Sequence, residues 1–209
     1  HYIARPKPHV IRFNKTRLAD RKLVAWFVSN CKTSSRREGY VHKLQKHIPV
    51  DIYGKCGSLN CTIAGKMSKQ CYKMLEDNYK FYLSFENAMC KDYITEKLIN
   101  ILKLNVVPVV RGPRSYKKAV PPHSVINARD FKSPKSLAKF LLELDKDYDQ
   151  YEKYLKWKIN YKVSSSWKGR NSALCSLCDE LTNTTFRASR YIDFKAWYNA
   201  NGTCLTGVT

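Results

Sequence analysis

Apolar residues along this chain come in short unbroken runs, separated by stretches where they recur every third or fourth position. Lys22 to Asn30, KLVAWFVSN, is such a run and predicts a buried parallel strand with Ser29 and Asn30 at its carboxyl end. Arg36 to Ile48 spaces Tyr40, Val41, Leu44 and Ile48 as a helix does, and Val50 to Gly54 predicts the next short strand. Lys55 to Cys71 has no clear period, with a helix predicted over Met67 to Leu75. Phe81 to Phe85 is a third strand-like run, ending at Glu86 and Asn87. Asp92 then stands where a helix N-cap belongs, ahead of a helix reaching to about Asn105. Val106 to Val110 follows as another strand, although Pro108 within it suits only a strand start or a bulge.

Further on, Pro121-Pro122 marks a loop and Ser124 to Asn127 a short strand. Ser133 and Pro134 open a helix as N-cap and first residue, with Leu137, Phe140, Leu141 and Leu144 as its buried stripe. A second helix spans Tyr148 to Lys158, carrying Tyr151, Tyr154, Leu155 and Trp157, and Ser164 to Gly169 is a polar loop. Ala173 to Thr182 holds Cys175 and Cys178, and Ile192 to Tyr198 predicts a terminal helix with Trp197. His1 to Asp20, rich in Pro and Arg, predicts a linker or extended arm ahead of the domain of residues 21–209. Strands alternating with helices indicate an α/β fold on a parallel sheet.

In a strand–loop–helix–strand unit, ligands bind beyond the carboxyl ends of the strands, against the next helix N-terminus. Here that place holds Asn87, Tyr93, Glu96 and Lys97. A carboxylate suits ribose hydroxyls and an ammonium suits phosphate, so the pair points to a nucleotide. Two such charges side by side do not both face a core.

Charge widens the choice of partner. Lys and Arg number 38 against 17 Asp and Glu, a net charge of +21. Nucleic acid, an anionic membrane surface or a phosphorylated small ligand all fit such a balance. The basic residues are spread along the chain with no compact tail and no RNA-binding signature, which favours solvated basic faces over a nucleic-acid module. No run reaches the roughly 18 to 20 apolar residues that span a bilayer. The chain opens on His1 without a signal peptide, which predicts a segment of a longer polypeptide. Eight cysteines and four N-x-Ser/Thr sequons, at Asn14, Asn60, Asn183 and Asn201, favour a secretory-pathway lumen.

FYLSFEN followed by KDYITEKL resembles the signature of the α1,3-fucosyltransferases, glycosyltransferase family 10, and the likeness extends from Leu23 to the C-terminal region. The resemblance implies two Rossmann-like domains facing a cleft, the GT-B arrangement, of which this chain is the C-terminal, donor-binding half. It implies that L-fucose passes from GDP-fucose, with inversion, in α1,3-linkage to a GlcNAc of a glycoprotein glycan. Arg37 matches the family's diphosphate-gripping arginine, with Arg36 as a rival; a guanidinium forks onto phosphate oxygens with paired donors. Lys97 matches the second phosphate-binding cation and Glu96 the ribose-binding carboxylate. Asn87 and Tyr93 match donor contacts, and Tyr82, Ser29 and Asn30 match positions lining the nucleotide cleft. The base that deprotonates the acceptor is implied to lie in the N-terminal domain, so no catalytic residue is expected in this chain and the segment alone is expected to be weakly active or inactive. Glu86 is expected to support the cleft or to meet the donor fucose.

The same resemblance implies a single-pass type II protein of the Golgi lumen whose stem and membrane anchor precede this segment. Its partners would be the donor and an N-glycan or LacNAc-type acceptor, with no nucleic acid. SNCKTSSRREGYVHKLQKHIPVDIYGKCG and the cysteine of NAMCKDYITEK are closest to invertebrate-type members. No metal site is expected for donor binding, although Mn2+ or Mg2+ can assist activity in the family. Asp145-Lys146-Asp147 forms a DxD string but sits at a boundary between two helices, where a surface role is the better reading. Cys175-x-x-Cys178 has no second pair and no nearby His to complete a zinc set, and the resemblance implies bridges from it to the N-terminal domain. Pairing among the other six cysteines cannot be read from their spacing. Two other readings are an inactive, fucosyltransferase-like lumenal protein and a basic nucleic-acid-binding module.

Overall fold

The computed structural model describes residues 2–9, 18–63, 66–113, 115–117, 119–163, 173–183, 192–193, 196 and 204. In chain order the strands are β1 (Tyr2–Ala4), β2 (Lys22–Phe27), β3 (Val50–Tyr53), β4 (Thr62–Ile63), β5 (Lys66–Met67), β6 (Tyr79–Phe85), β7 (Val107–Arg111), β8 (Ile126–Asn127) and β9 (Tyr161–Val163). The helices are α1 (Arg37–Gln45), α2 (Lys69–Asn78), α3 (Glu96–Ile99), α4 (Pro134–Lys146), α5 (Tyr148–Lys153) and α6 (Ala173–Thr182).

Five strands form one sheet in the order β3-β2-β6-β7-β8, and every pairing in it is parallel. A parallel sheet needs cover on both faces, which is why its strands are continuous hydrophobic runs. All seven residues of β6 are buried. Its Phe81, Leu83 and Phe85 pack into the larger core with Leu44 of α1, Leu137 and Leu141 of α4 and Tyr151 of α5. Tyr82 turns to the other face, with Ala25, Leu75 of α2 and Ile101. Pro108 is accommodated in β7 because β8 is two residues long and pairs only from Val109 onward.

Three helix starts decide how the site is held. Ser133 caps α4 in a capping box with Ser136, and Pro134 occupies the first turn, as the sequence predicts. The helix predicted from Asp92 begins later. Thr95 is the N-cap, Asp92 adopts a left-handed φ of 60°, and α3 passes into a 3-10 turn at Ile101–Lys103. The shift has a local cause. The Glu86 carboxylate accepts from the Thr95 backbone N–H at 2.8 Å and from its hydroxyl, fixing the cap three residues downstream of Asp92. Likewise α5 is shorter than predicted, with a 3-10 turn at Lys156–Ile159, and the helix after Cys61 starts at Lys69, beyond the Lys66–Met67 strand.

The N-terminal arm is extended but attached. β1 pairs antiparallel with β9, and Arg5 Nε donates to the carbonyls of Lys158 and Tyr161. Disulfides join Cys31 to Cys56, Cys61 to Cys71 and Cys90 to Cys204. The first ties the loop after β2 to the turn after β3. In that turn Gly54 has a φ of 97°, and a Cβ there would stand 2.6 Å from the Val28 carbonyl oxygen. Cys175 and Cys178 are thiols on α6. The predicted loop over Ser164–Gly169, most of the predicted terminal helix with Trp197, and the sequons at Asn14 and Asn201 lie outside the described residues.

Candidate functional site

A cleft of about 280 Å3 opens at the carboxyl ends of β2 and β6, lined by Phe27, Val28, Ser29, Asn30, Arg37, Tyr72, Tyr82, Asn87, Glu96, Lys97, Asn100 and Ile101. Seven of the eight predicted donor-site residues therefore meet in one place. Tyr93 does not: it is half-buried in the loop before α3, its N–H bonded to the Cys90 carbonyl. Of the two rival arginines, Arg37 lines this cleft. Arg36 points into a separate cavity and holds a left-handed φ of 50° just before α1.

Arg37 is 3% exposed and locked in place. Its Nη1 donates to the Phe85 carbonyl at 2.7 Å and its Nη2 to the Asn30 carbonyl at 3.0 Å. It thereby cross-links the ends of β2 and β6, with its guanidinium 5.5 Å from the Trp26 ring centre. Its Nε faces Glu38 Oε1 at 3.3 Å, and each terminal nitrogen carries one more N–H.

Lys97 is fixed from below. Its Nζ lies 3.2 Å from Glu86 Oε2, 2.9 Å from Thr95 Oγ1 and 3.4 Å from Glu96 Oε1. Glu86 is 1% exposed at the end of β6. Its carboxylate is committed to Thr95 and Lys97, so it orients the ammonium from beneath the cleft. Glu96, in the first turn of α3, is largely open to solvent. Burial acts to raise its carboxyl, but the adjacent Lys97, its own backbone N–H and the Thr95 hydroxyl hold it below the usual carboxylate value. Tyr82 is buried, and burial pushes its phenol well above the ordinary range, so it serves as a neutral wall.

Asn87 supplies the clearest vacancy for a ligand group. Its Oδ1 is buried and has no hydrogen-bond partner, while its backbone carbonyl receives the Ser35 N–H at 3.0 Å. An acceptor left so is costly unless something donates to it. The cleft is thus lined by a guanidinium, an oriented ammonium, an ionised carboxylate and a bare amide oxygen. Such a set can meet an oxyanion, a pair of hydroxyls and a hydrogen-bond donor on one ligand.

Tyr72 and Asn100 also line the cleft and were missed in the sequence. The Asn100 side-chain amide donates to the Tyr72 hydroxyl at 3.0 Å. Asn100 could have been found, since it lies one helical turn beyond Glu96. Tyr72 comes from α2, and nothing in its local sequence marks it.

The DxD string is occupied structurally. The Asp145 carboxylate is bonded to the buried ammonium of Lys80, and Asp147 caps α5 by accepting the Gln150 N–H. Among the described residues no group of three or more His, Cys, Asp and Glu side chains could hold a metal ion.

The description "Glycosyltransferase family 10 (fucosyltransferase) C-term" fits residues 18–197. Alpha-(1,3)-fucosyltransferase C of Drosophila melanogaster is 40% identical over 179 residues, covering 85% of this chain and 40% of the fly protein. Glycoprotein 3-alpha-L-fucosyltransferase A of the same organism is 42% identical over 190 residues, 88% of this chain and 36% of its own length. A crystal structure of an alpha1,3-fucosyltransferase with GDP-fucose superposes with a TM-score of 0.57 at 26% identity, over 68% of this chain and 40% of that one. The chain therefore spans about two fifths of the length of these relatives. It belongs to glycosyltransferase family 10, the fucosyltransferases, and corresponds to the C-terminal part of that family.

Proposed function

We propose that this chain is the donor-binding half of an inverting α1,3-fucosyltransferase, which moves L-fucose from GDP-fucose to a GlcNAc of a glycoprotein glycan. The observation that carries the reading is the convergence of Arg37, Lys97, Glu96 and Asn87 on one cleft at the strand ends, within a chain of this family. Arg37 and Lys97 are assigned to the diphosphate, Glu96 to the ribose hydroxyls and Asn87 to a donor group of the nucleotide. Two cations at the β-phosphate stabilise charge as it develops on departing GDP, in a site already organised around them. The committed carboxylate of Glu86 argues against its use as base. The base is therefore assigned to an N-terminal acceptor domain, and this segment by itself is assigned donor binding with little or no transfer.

The same proposal gives residues 21–209 as the donor domain with a helical C-terminal extension, and places the protein in the Golgi lumen behind an N-terminal anchor. Three disulfides and the exposed sequon residues Asn60 and Asn183 are consistent with that compartment. GDP binding is assigned to the protein groups alone, with Mn2+ or Mg2+ assisting turnover.

Calorimetric titration with GDP, GDP-fucose, UDP and a short DNA duplex tests the reading. Saturable binding of the two guanine nucleotides alone is expected, and EDTA should leave it intact. DNA binding stronger than GDP binding, with a steep salt dependence, would instead identify a nucleic-acid module. Loss of GDP binding on chelation would return attention to a metal.

A further inference from the structure

A second cavity, of about 500 Å3, shares no lining residue with the nucleotide cleft. It lies between α1, the ends of β7 and β8, and the start of α4. Five cations line it, Arg36, Lys43, Arg111, Arg129 and Lys132, and none of its described lining residues is acidic. We propose that this cavity is a binding site for a small ligand carrying a phosphate, sulfate or carboxylate group, separate from the nucleotide site.

One buried and one half-buried arginine form its inner wall. Arg111 is 3% exposed at the end of β7, donates to the Ser35 carbonyl at 2.6 Å and lies 5.0 Å from the Tyr40 ring centre. Arg129 is positioned by its backbone N–H, which donates to Asn127 Oδ1 at 3.1 Å. Its Nη1 is buried without a hydrogen-bond partner, as is the Tyr40 hydroxyl. A guanidinium N–H and a phenol hydroxyl both donate to oxyanions, and both are costly to leave bare.

Among the described residues, no acidic side chain lines the cavity itself. Burial and the proximity of Arg129 lower the affinity of Arg111 for its proton, against opposing effects of Tyr40 and Glu38. Glu38 accepts from the Thr33 hydroxyl at 2.8 Å and from Arg37. The start of α4 adds a partial positive charge, although its capping box already satisfies the leading amides, so the side chains carry the argument. Tyr40, Met89, Phe131 and Pro134 give the cavity an apolar wall, which suits a ligand with a carbon skeleton beside its charged group.

Glucose 6-phosphate, inorganic sulfate and glucose serve as probes, titrated calorimetrically at low salt with and without saturating GDP. Saturable binding of the two anions, no binding of glucose, and persistence under GDP are expected. Arg36→Gln combined with Arg129→Gln should weaken anion binding at least about tenfold, the loss typical of a charge-assisted hydrogen bond. Circular dichroism checks the fold of that variant, and the exposed change Lys132→Glu gives an independent test. Absence of saturable binding, or affinity unchanged in both variants, would overturn the proposal. So would loss of binding in Lys97→Ala with none in the double variant, because the probe would then be occupying the nucleotide cleft. Failure of GDP to bind at all bears on the donor-site reading and leaves this test intact.

Discussion

The two concave sites at the carboxyl edge of the sheet hold their cations in opposite ways. In the strand-end cleft, Lys97 touches two carboxylates and Arg37 donates to two strand-end carbonyls. In the neighbouring cavity five cations meet no lining carboxylate. The first arrangement fixes charges in place before a ligand arrives, at the cost of part of their attraction. The second keeps the attraction and leaves buried donors bare. Prepared geometry is what a transition state needs, whereas uncompensated positive charge serves capture of an anion.

The comparison breaks most visibly at the adjacent arginines. Arg37→Ala removes donors from the Phe85 and Asn30 carbonyls and should destabilise the fold by about 2 to 5 kcal/mol, two unsatisfied acceptors' worth. Arg36→Gln, on an exposed side chain, should move stability by less than about 0.5 kcal/mol. Urea denaturation of the two variants measures this directly. Equal effects would mean that Arg37 does not cross-link the strands. Loss of GDP affinity in Arg37→Ala alone is consequently ambiguous, so the donor site is better tested elsewhere.

The two glutamates sharpen the same contrast. Glu86→Gln should cost about 1 to 3 kcal/mol of stability, because the half-buried Thr95 and Lys97 donors lose their buried anion. Glu96→Ala and Lys97→Ala should each weaken GDP binding by about 1.5 to 3 kcal/mol, the scale of a hydrogen bond to a charged group. Glu96→Ala should do so with the unfolding midpoint nearly unchanged. Glu86→Gln is read by denaturation and the other two by calorimetry. If Glu96→Ala shifted the midpoint and spared GDP, the division between supporting and binding carboxylate would be reversed.

Local pattern was enough for the centre of the sheet, since β2, β6 and β7 are apolar runs whose burial on both faces needs no other signal. It was enough for α4, where Ser133-Pro134 and a four-residue apolar stripe agree. It failed at Asp92. Asp and Thr are both good caps, and the choice of Thr95 was made by Glu86, nine residues earlier, at the end of β6. The resemblance located most of the cleft's polar residues, because they cluster at strand ends and one helix start. Tyr72 was invisible because it arrives from α2 by packing. The basic cavity was invisible too: its five cations come from three separate stretches, and a net charge of +21 gives no sign of which basic residues converge.

Another buried cation shows what burial without a bonded carboxylate costs, and makes that cost readable as a pH dependence. Lys158 donates to the Leu104 carbonyl and to Asn105 Oδ1, and burial lowers its amine to about 8, with Glu76 opposing. Its unfolded value is about 10.4. The native state releases this proton first, so the penalty is fully present below pH 8 and is relieved as pH rises toward 10.4. Stability should therefore rise through that window, by up to about 1.4 kcal/mol per pH unit. Buried tyrosines such as Tyr151, whose phenol is pushed up, act oppositely above pH 10, and subtracting a Lys158→Met variant removes their contribution. Urea denaturation of both chains from pH 7.5 to 9.5 measures the difference. A gap that grows with pH identifies a desolvated ammonium, the same penalty that an anion would relieve in the basic cavity. A constant gap would mean that water or the two oxygen acceptors solvate Lys158 fully, and the contrast between cations held by carboxylates and cations lined by none would lose its energetic basis.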